Sequence, residues 1–298
     1  MSVKIGVTLP QFTDDPERLI GGAQRAERLG YDSVWLFDHL WPLGGGRDRP
    51  VTESWTTIAY LASVTERVRI GTLVSRSTLR HPVVLAKMVA TVGELAPGRV
   101  ICALGSGDRM SAGENLAYGL PYFDGDDRIN QLASTMKIVT TYSSEGMVGH
   151  TDGFVNVAHL PTSPRPEPAP EIWIGGWNRR ILHLAGEGAD GWNGWGTDVA
   201  RFAGAAKVVR AAAGGRDVEL SWAGQVMLAE DDDRATARLG RRDPAQFLVG
   251  GPASVASRLQ RFVVAGASHL IAAFPDAGEV GSYERFAGAV VPRLREAG

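Results

Sequence analysis

The chain has 298 residues and a mass of 31.8 kDa, more than a domain of about 100–150 residues but well suited to a (β/α)8 barrel of about 250 residues with insertions. Its hydrophobic fraction of 44% and charged fraction of 21% argue against a disordered chain, a coiled coil or a collagen-like rod. Lys and Arg number 31 against 33 Asp and Glu, a net charge of −2 with no basic stripe, so nucleic acid is not an expected partner.

The N-terminal residues 1–9 lack a charged segment followed by a long apolar stretch. No window approaches the ~20 apolar residues that a membrane span needs. We therefore expect a cytoplasmic protein without a membrane partner. The single cysteine, Cys102, lies in an apolar run and is predicted to be a buried small hydrophobic residue.

Short apolar runs alternate with amphipathic segments along the whole chain. Asp15 and Pro16 predict an N-cap and a first-turn proline for a helix that ends at Leu29, directly after the first apolar run. The predicted strands are Ile5–Leu9, Ser33–Phe37, Val68–Val74, Val100–Leu104, Ile172–Ile174, Ala189–Trp192, Glu219–Leu228 and His269–Phe274. Helical patterns between them include Ser54–Val64, Pro82–Leu95, Asp127–Tyr142, a helix from Arg179, Val199–Ala212, one after Pro252, and a final helix carrying Tyr283, Phe286, Val290 and Leu294.

Eight strand units, each followed by a helix and apolar on both faces, predict an α/β fold of the (β/α)8 TIM-barrel type over residues 1–298 as a single domain. A doubly wound dinucleotide-binding domain is the disfavoured alternative. The turn Leu9–Gln11 lacks the glycines of the dinucleotide fingerprint, and Gly105–Gly107 lacks the third glycine.

Two stretches exceed the length of simple connections. Residues 143–170 end in a proline-rich run and are predicted to form a hairpin-like insertion before strand 5. Residues 229–251 are highly charged and show no apolar face, so we expect a mobile loop after strand 7 that closes over the barrel mouth when a ligand binds.

In a barrel of this type the chemistry takes place at the carboxyl ends of the strands. Polar residues and glycines follow nearly every predicted strand. They are Gln11, Asp38, His39, Ser75, Ser106, Gly107, Asp108, Gly175, Gly176, Trp177, Asn178 and Asn193. The Asp38–His39 pair places a carboxylate and an imidazole beside a prospective ligand, although a turn cap with a packed histidine explains the dipeptide equally well.

The segment Gly175–Arg180 predicts an anion site. Two glycines, a cap residue and two arginines at a helix start offer free N–H groups, a helix dipole and positive charge to a phosphate-bearing cofactor. Ordinary capping by Asn178 with solvated arginines is the alternative. Ser106 and Gly107 permit close backbone approach to a ligand, which a plain tight turn also explains.

Longer stretches resemble the luciferase-like monooxygenase superfamily, the bacterial luciferase-type barrels that use flavin or deazaflavin. The matching stretches are Ile5–Pro10, Ala26–Trp35, Asp38–His39, Arg69–Val74, Arg80–Met88, Gly98–Arg99, Leu104–Gly107, Ile174–Gly176, Ala189–Trp192 and Val249–Val255. They occur in the family order along the whole chain.

The resemblance implies an isoalloxazine-like ring across the barrel mouth and a non-proline cis peptide at Leu73–Val74 that backs the ring. It also implies coenzyme F-420 (F420) as cofactor, with FMN as the alternative, because Asp38–His39 matches the pair of the deazaflavin branch. The turn Ser106–Asp108 departs from the Thr-Gly-Glu of sugar phosphate oxidisers, which puts a general-acid role for Asp108 in doubt.

The expected function is F420-dependent hydride transfer to or from a small organic substrate, with His39 as acid or base and Asp38 at the ring edge or orienting the imidazole. An FMN-dependent monooxygenase and a non-catalytic flavin-binding barrel stay open. Late lysines are scarce, which disfavours a phosphosugar, and several tryptophans suggest an apolar or aromatic substrate. These are Trp41, Trp55, Trp177, Trp192 and Trp195. No metal is expected, and a homodimer is a possible assembly.

Overall fold

The computed structural model describes residues 3–43, 48–275 and 281–296. Its strands are β1 (Lys4–Thr8), β2 (Ser33–Leu36), β3 (Arg69–Thr72), β4 (Ser75–Arg76), β5 (Val100–Gly105), β6 (Met147–Thr151), β7 (Asn156–Pro161), β8 (Glu171–Gly175), β9 (Gly191–Trp195), β10 (Glu219–Leu228), β11 (Phe247–Gly250) and β12 (His269–Ala273).

Helices cover the outside of the sheet. They are α1 (Pro16–Arg28), α2 (Ser54–Val64), α3 (Pro82–Leu95), α4 (Ser111–Ala117), α5 (Gly125–Ser144), α6 (Arg179–Gly188), α7 (Val199–Ala213), α8 (Asp232–Leu239), α9 (Pro252–Val264), α10 (Ser282–Arg285) and α11 (Val291–Glu296), with a π-helical turn over Phe286–Val290 between the last two.

Eight of the strands close into a parallel barrel. The circuit runs β1, β2, β3, β5, β8, β9, β10, β12 and back to β1, and every neighbouring pair is parallel. The predicted (β/α)8 TIM barrel is therefore confirmed, and its parallel register brings all eight carboxyl ends to one mouth.

Burial explains why the strands are apolar on both faces. The side chains that point outward pack under the helices in the main core, and a second cluster fills the barrel interior around Trp35, Ile101 and Trp173. Cys102 on β5 is fully buried, and burial raises the pKa of its thiol, which fits the predicted packing role.

The predicted insertion before the fifth barrel strand is an antiparallel hairpin of β6 and β7. Residues 229–251 carry more regular structure than their charge suggests. They form α8 and β11, and β11 extends the sheet beside the last residues of β10. An apolar face does exist, because Leu239 and Phe247 pack on Met227. Movement of this segment over the mouth stays a prediction.

Among the described residues, no helix is long and apolar enough to cross a membrane.

Candidate active site

The end of β2 carries Asp38 and His39 in different surroundings. The Asp38 side chain is 1% exposed and accepts four hydrogen bonds. Arg80 donates two of them, at 2.7 and 2.9 Å, Ser54 Oγ donates one at 2.6 Å, and the backbone N–H of Arg76 donates one at 3.2 Å. Since an ionised carboxylate offers about four acceptor positions, these donors occupy the group.

Arg80 is held equally firmly by its partners. Burial alone would lower the pKa of its guanidinium, but hydrogen bonds and charge from Asp38 and Glu53 outweigh burial and raise it. The geometry thus favours a role for Asp38 in fixing the end of β2 over the expected contact with a ring edge.

His39 is oriented by Glu114, a residue of α4. The imidazole Nδ1 lies 2.9 Å from Glu114 Oε2, and the histidine side chain is 22% exposed. Because a carboxylate only accepts, this contact places a proton on Nδ1 and leaves Nε2 as an acceptor on the neutral ring. Nε2 has no protein partner within the described ranges. The orienting carboxylate is therefore Glu114 and not Asp38.

Glu114 is itself fixed by four groups. Besides His39, it accepts from the backbone N–H groups of Leu40 and Trp41 and pairs with Arg76 at 2.9 Å. Burial would raise the pKa of Glu114, but the hydrogen bonds from His39 and Leu40 and the charge of Arg76 outweigh burial and lower it. A stable negative charge thus lies behind the imidazole.

The bulge after β3 is the second part of the site. The peptide bond Leu73–Val74 is cis, as the family resemblance implied. Val74 fits between two glycines: a Cβ added to Gly105 would collide with it, and one added to Gly175 would lie 2.7 Å from Val74 Cγ1. Bare backbone on β5 and β8 therefore makes the space that Val74 fills.

Hydrogen bonds brace the same bulge from below. Trp55 Nε1 donates to Ser75 Oγ at 2.9 Å, and Ser75 Oγ donates to Thr72 Oγ1 at 3.0 Å. The Thr72 hydroxyl donates to the carbonyl of Ala103 at 3.1 Å. Trp55 is thus a structural residue of this support and is not exposed to substrate.

The turn after β5 serves mainly to start α4. Asp108 Oδ1 accepts from the backbone N–H and the hydroxyl of Ser111, both at 3.0 Å. Ser106 and Gly107 lie between these contacts and the end of β5. The predicted general-acid candidate Asp108 is therefore engaged in a local turn through one of its carboxylate oxygens.

The segment after β8 starts α6 as the sequence predicted. Asn178 is the N-cap and accepts from the backbone N–H of Arg180 at 2.9 Å. Arg180 pairs with Asp126 and donates to Asn130. Arg179 is exposed and has no ion pair within the described part of the chain. The helix start thus offers one unpaired cation, following Gly176 and Trp177.

A cavity of about 520 Å³ opens at the carboxyl ends of β1, β9, β10 and β12, and Phe37 from the end of β2 also lines it. Of the tryptophans considered in the sequence analysis, Trp195 lines it, whereas Trp55 and Trp192 are buried in the core. Asn193 points into the barrel and donates to Ser221 Oγ at 2.8 Å. No cluster of three or more metal-binding His, Cys, Asp or Glu side chains occurs among the described residues.

The sequence analysis missed three charged residues that hold the pair after β2. Arg76, Arg80 and Glu114 are 38, 42 and 75 positions away from the groups that they contact. No local spacing signals such contacts, since only the closed barrel and α4 bring them together. Arg80 did lie in a matched family stretch, which was the one available signal.

The chain is similar to known proteins over almost its whole length. The model of the luciferase-like monooxygenase family matches residues 2–273. An F420-dependent glucose-6-phosphate dehydrogenase of Kineococcus radiotolerans is 26% identical, covering 98% of this chain and 97% of the relative.

Two solved structures share the fold. An F420-dependent secondary alcohol dehydrogenase in complex with an F420-acetone adduct has a TM-score of 0.85 at 19% identity, covering 99% of this chain and 100% of the other. A long-chain alkane monooxygenase has a TM-score of 0.79 at 16% identity, covering 100% and 92%.

Proposed function

The chain belongs to the luciferase-like monooxygenase family, and from this premise we propose that it is an F420-dependent oxidoreductase acting on a small organic substrate. The observation that carries the proposal is His39, fixed by Glu114 at Nδ1 and open at Nε2, at the end of the strand next to the Leu73–Val74 bulge. The relative of Kineococcus radiotolerans is named as F420-dependent, and the match covers nearly the whole length of both chains. This supports the choice of cofactor.

The residues at the mouth fit a flat ring with a charged tail. The Gly105 and Gly175 backbones set Val74 as a surface on which the ring can rest, and Ser106 and Gly107 allow close approach at its edge. The free arginine at the start of α6, with the glycines and Asn178 before it, would hold the anionic tail. When bound, the deazaflavin supplies or accepts the hydride.

His39 would move the proton that accompanies the hydride. Its Nε2 accepts a proton when a substrate hydroxyl is oxidised and returns one in the reverse direction. Glu114 stabilises the imidazolium formed in the first case and keeps the ring in one orientation. Asp38 acts at a distance, because its bonds to Arg80 and Ser54 fix the end of the strand from which His39 projects.

Titration of the purified protein with F420 and with FMN tests the proposal. We expect micromolar or tighter binding of F420 and much weaker binding of FMN. Equal or reversed affinities would contradict the cofactor choice and favour an FMN-dependent monooxygenase, the alternative that the likeness to an alkane monooxygenase supports. Binding of F420 without turnover of any alcohol or carbonyl compound would favour a non-catalytic flavin-binding barrel.

Two neighbouring arginines at the start of α6 give a matched pair of variants for the binding of the anionic cofactor tail. Arg179→Ala should weaken F420 binding by about 1–2 kcal/mol, the usual value of a charge-assisted hydrogen bond. Arg180→Ala removes the same charge from the next position, but that arginine is already paired with Asp126 and should matter less. Equal effects of the two variants would assign Arg179 to the solvated surface.

We further propose a single domain over residues 1–298, a homodimeric assembly and a cytoplasmic location. The dimer is supported by apolar side chains exposed on α2 and α3, namely Tyr60, Val84 and Leu95 at 52%, 53% and 67%. Sedimentation equilibrium of the parent and of Leu95→Glu tests it, since the variant should shift toward monomer.

A further inference from the structure

The cavity at the mouth has two chemically different parts. Its volume of about 520 Å³ lies in the range of small-molecule sites. One part is an apolar wall, and the other is a rim of arginine side chains. The cavity is built from the ends of four barrel strands together with Arg242 and Phe247, which belong to the segment between β10 and α9.

The wall consists of aromatic rings that support one another. Phe12 and Phe37 stack with centroids 6.0 Å apart, and Phe37 meets Trp195 edge to face at 5.8 Å. Trp195 is 36% exposed on the cavity side of β9. Such a surface gains free energy by covering the apolar part of a ligand.

Arg18, Arg49 and Arg242 form the rim. Arg49 donates to the carbonyl of Phe12 at 2.9 Å, and Arg242 makes only long contacts, at 3.3 and 3.4 Å, to carbonyls of the preceding turn. Neither they nor Arg18 pairs with a carboxylate of the described ranges, and the described lining residues include no Asp or Glu.

Some arginines elsewhere in the chain pair with carboxylates. Arg285 pairs with Glu230 at 2.7 Å, and Arg180 pairs with Asp126 at 3.1 Å. Three unpaired guanidinium groups, with no Asp or Glu among the described lining residues, favour an anion in this cavity. The guanidinium fork matches a carboxylate or a phosphate in two parallel hydrogen bonds.

We propose that this cavity binds the substrate and that the substrate is an organic anion with an apolar body. Its aliphatic or aromatic part lies on Phe12, Phe37 and Trp195, and its acid group pairs with Arg49 and Arg242 at the rim. As a substrate site this rests on the proposed function, whereas the binding preference itself does not require F420. Gln11 adds a polar group to the wall: it is fully buried, donates to the carbonyl of Thr52, and its Oε1 lacks a partner within the described ranges.

Calorimetric titration with matched probes tests the inference. The probes are 3-phenylpropanoate, its neutral counterpart 3-phenylpropan-1-ol, phenyl phosphate and glucose 6-phosphate. We expect both aromatic anions to bind about five- to tenfold more tightly than the alcohol at low salt, with the preference shrinking as salt rises. Tighter binding of the carboxylate or of the phosphate ester tells which acid group the rim prefers.

Arg49→Gln and Arg242→Gln should each reduce the preference for anions while leaving affinity for the alcohol unchanged. Arg241→Gln is the control, because Arg241 is an equally exposed neighbour that does not line the cavity. It should behave as the parent does.

Equal binding of 3-phenylpropanoate and its alcohol by the parent would overturn the inference. So would a preference for anions that survives both arginine changes, or tighter binding of glucose 6-phosphate than of the aromatic anions. A parallel F420 titration separates this test from the proposed function. If the parent does not bind F420 but still prefers anions, the cofactor assignment is refuted and the inference about the cavity is not.

Discussion

His39 is fixed at one ring nitrogen and open at the other, which is the arrangement that a positioned acid or base requires. Of the six histidines, His269 is fully buried, His150 pairs with Asp152 in the hairpin, and His159 lies on β7 of the same hairpin. His81 caps α3, and His183 lies on the outer face of α6. Position and partner thus single out His39 at the mouth.

Replacing His39 by Ala should lower turnover by about 10²- to 10⁴-fold, the usual contribution of a positioned acid or base. F420 affinity and the unfolding midpoint should stay close to those of the parent. His39→Asn is the more specific test, because the amide can keep a hydrogen bond to Glu114 but cannot take up a proton near neutral pH. If the Asn variant turns over like the parent from about pH 5 to 9, the imidazole only positions ligands.

Asp38→Asn should destabilise the protein by about 3 kcal/mol, because it leaves the buried Arg80 without its main partner. Urea unfolding measures the change. Asp126→Asn is the control: it breaks the exposed pair with Arg180 and should cost less than about 0.5 kcal/mol. A similar small cost for both variants would show that the Asp38 carboxylate contributes little to the end of β2.

At the level of the elements, the bulge after β3 depends on β5 and β8, two strands that are distant from it in the sequence. Gly175→Ala should displace Val74 and weaken F420 binding about tenfold or more, because the added methyl enters space that Val74 occupies. Gly204→Ala on α7 is the matched control, since its added Cβ meets nothing within 4 Å. Unchanged F420 affinity in Gly175→Ala would remove Val74 from the ring site.

Regular elements with strong periodicity were predictable, and contacts between distant elements were not. The helix over Pro82–Leu95 has the predicted bounds because proline and an apolar pattern define it locally. The short strand β4 and α8 were missed because two residues of pairing and a charged helix leave no periodic signal. Glu114 was missed for a different reason, because α4 brings it to His39 only in the folded barrel.

At the scale of the whole molecule, a polar chain crosses the bottom of the barrel. Ser33 Oγ lies 2.7 Å from His269 Nε2, His269 Nδ1 lies 2.9 Å from Glu219, and Lys4 closes the chain at 2.7 Å from that carboxylate. Burial, together with the charges of Arg69 and Lys4, lowers the pKa of His269 despite Glu219. Burial would raise the pKa of Glu219, but His269 and Lys4 outweigh it and set it at about 2.

Both pKa values are lowered in the folded protein, so both groups should make the protein less stable as the solution is acidified. The unfolded chain takes up a proton at His269 from about pH 6.5 downward while the folded chain resists, and at Glu219 the same holds between about 4.5 and 2. The free energy of unfolding should therefore fall from pH 7 to pH 5 by at most about 1.4 kcal/mol per unit for this histidine.

His269→Asn should flatten that slope, whereas His183→Asn, an exposed histidine of α6, should keep it. Urea unfolding at pH 7, 6 and 5 compares the three proteins. An identical slope in the parent and in His269→Asn would show that His269 does not carry this pH dependence.

A crystal structure of the protein with bound F420 tests the central claim most directly, because it places ring, tail and acid–base group in one observation. The account predicts the deazaflavin on Val74, its charged tail at Arg179, and His39 Nε2 facing the space between the ring and the cavity of Phe37 and Trp195. F420 bound outside the barrel mouth, or a ring on the far side of the mouth from His39, would contradict it.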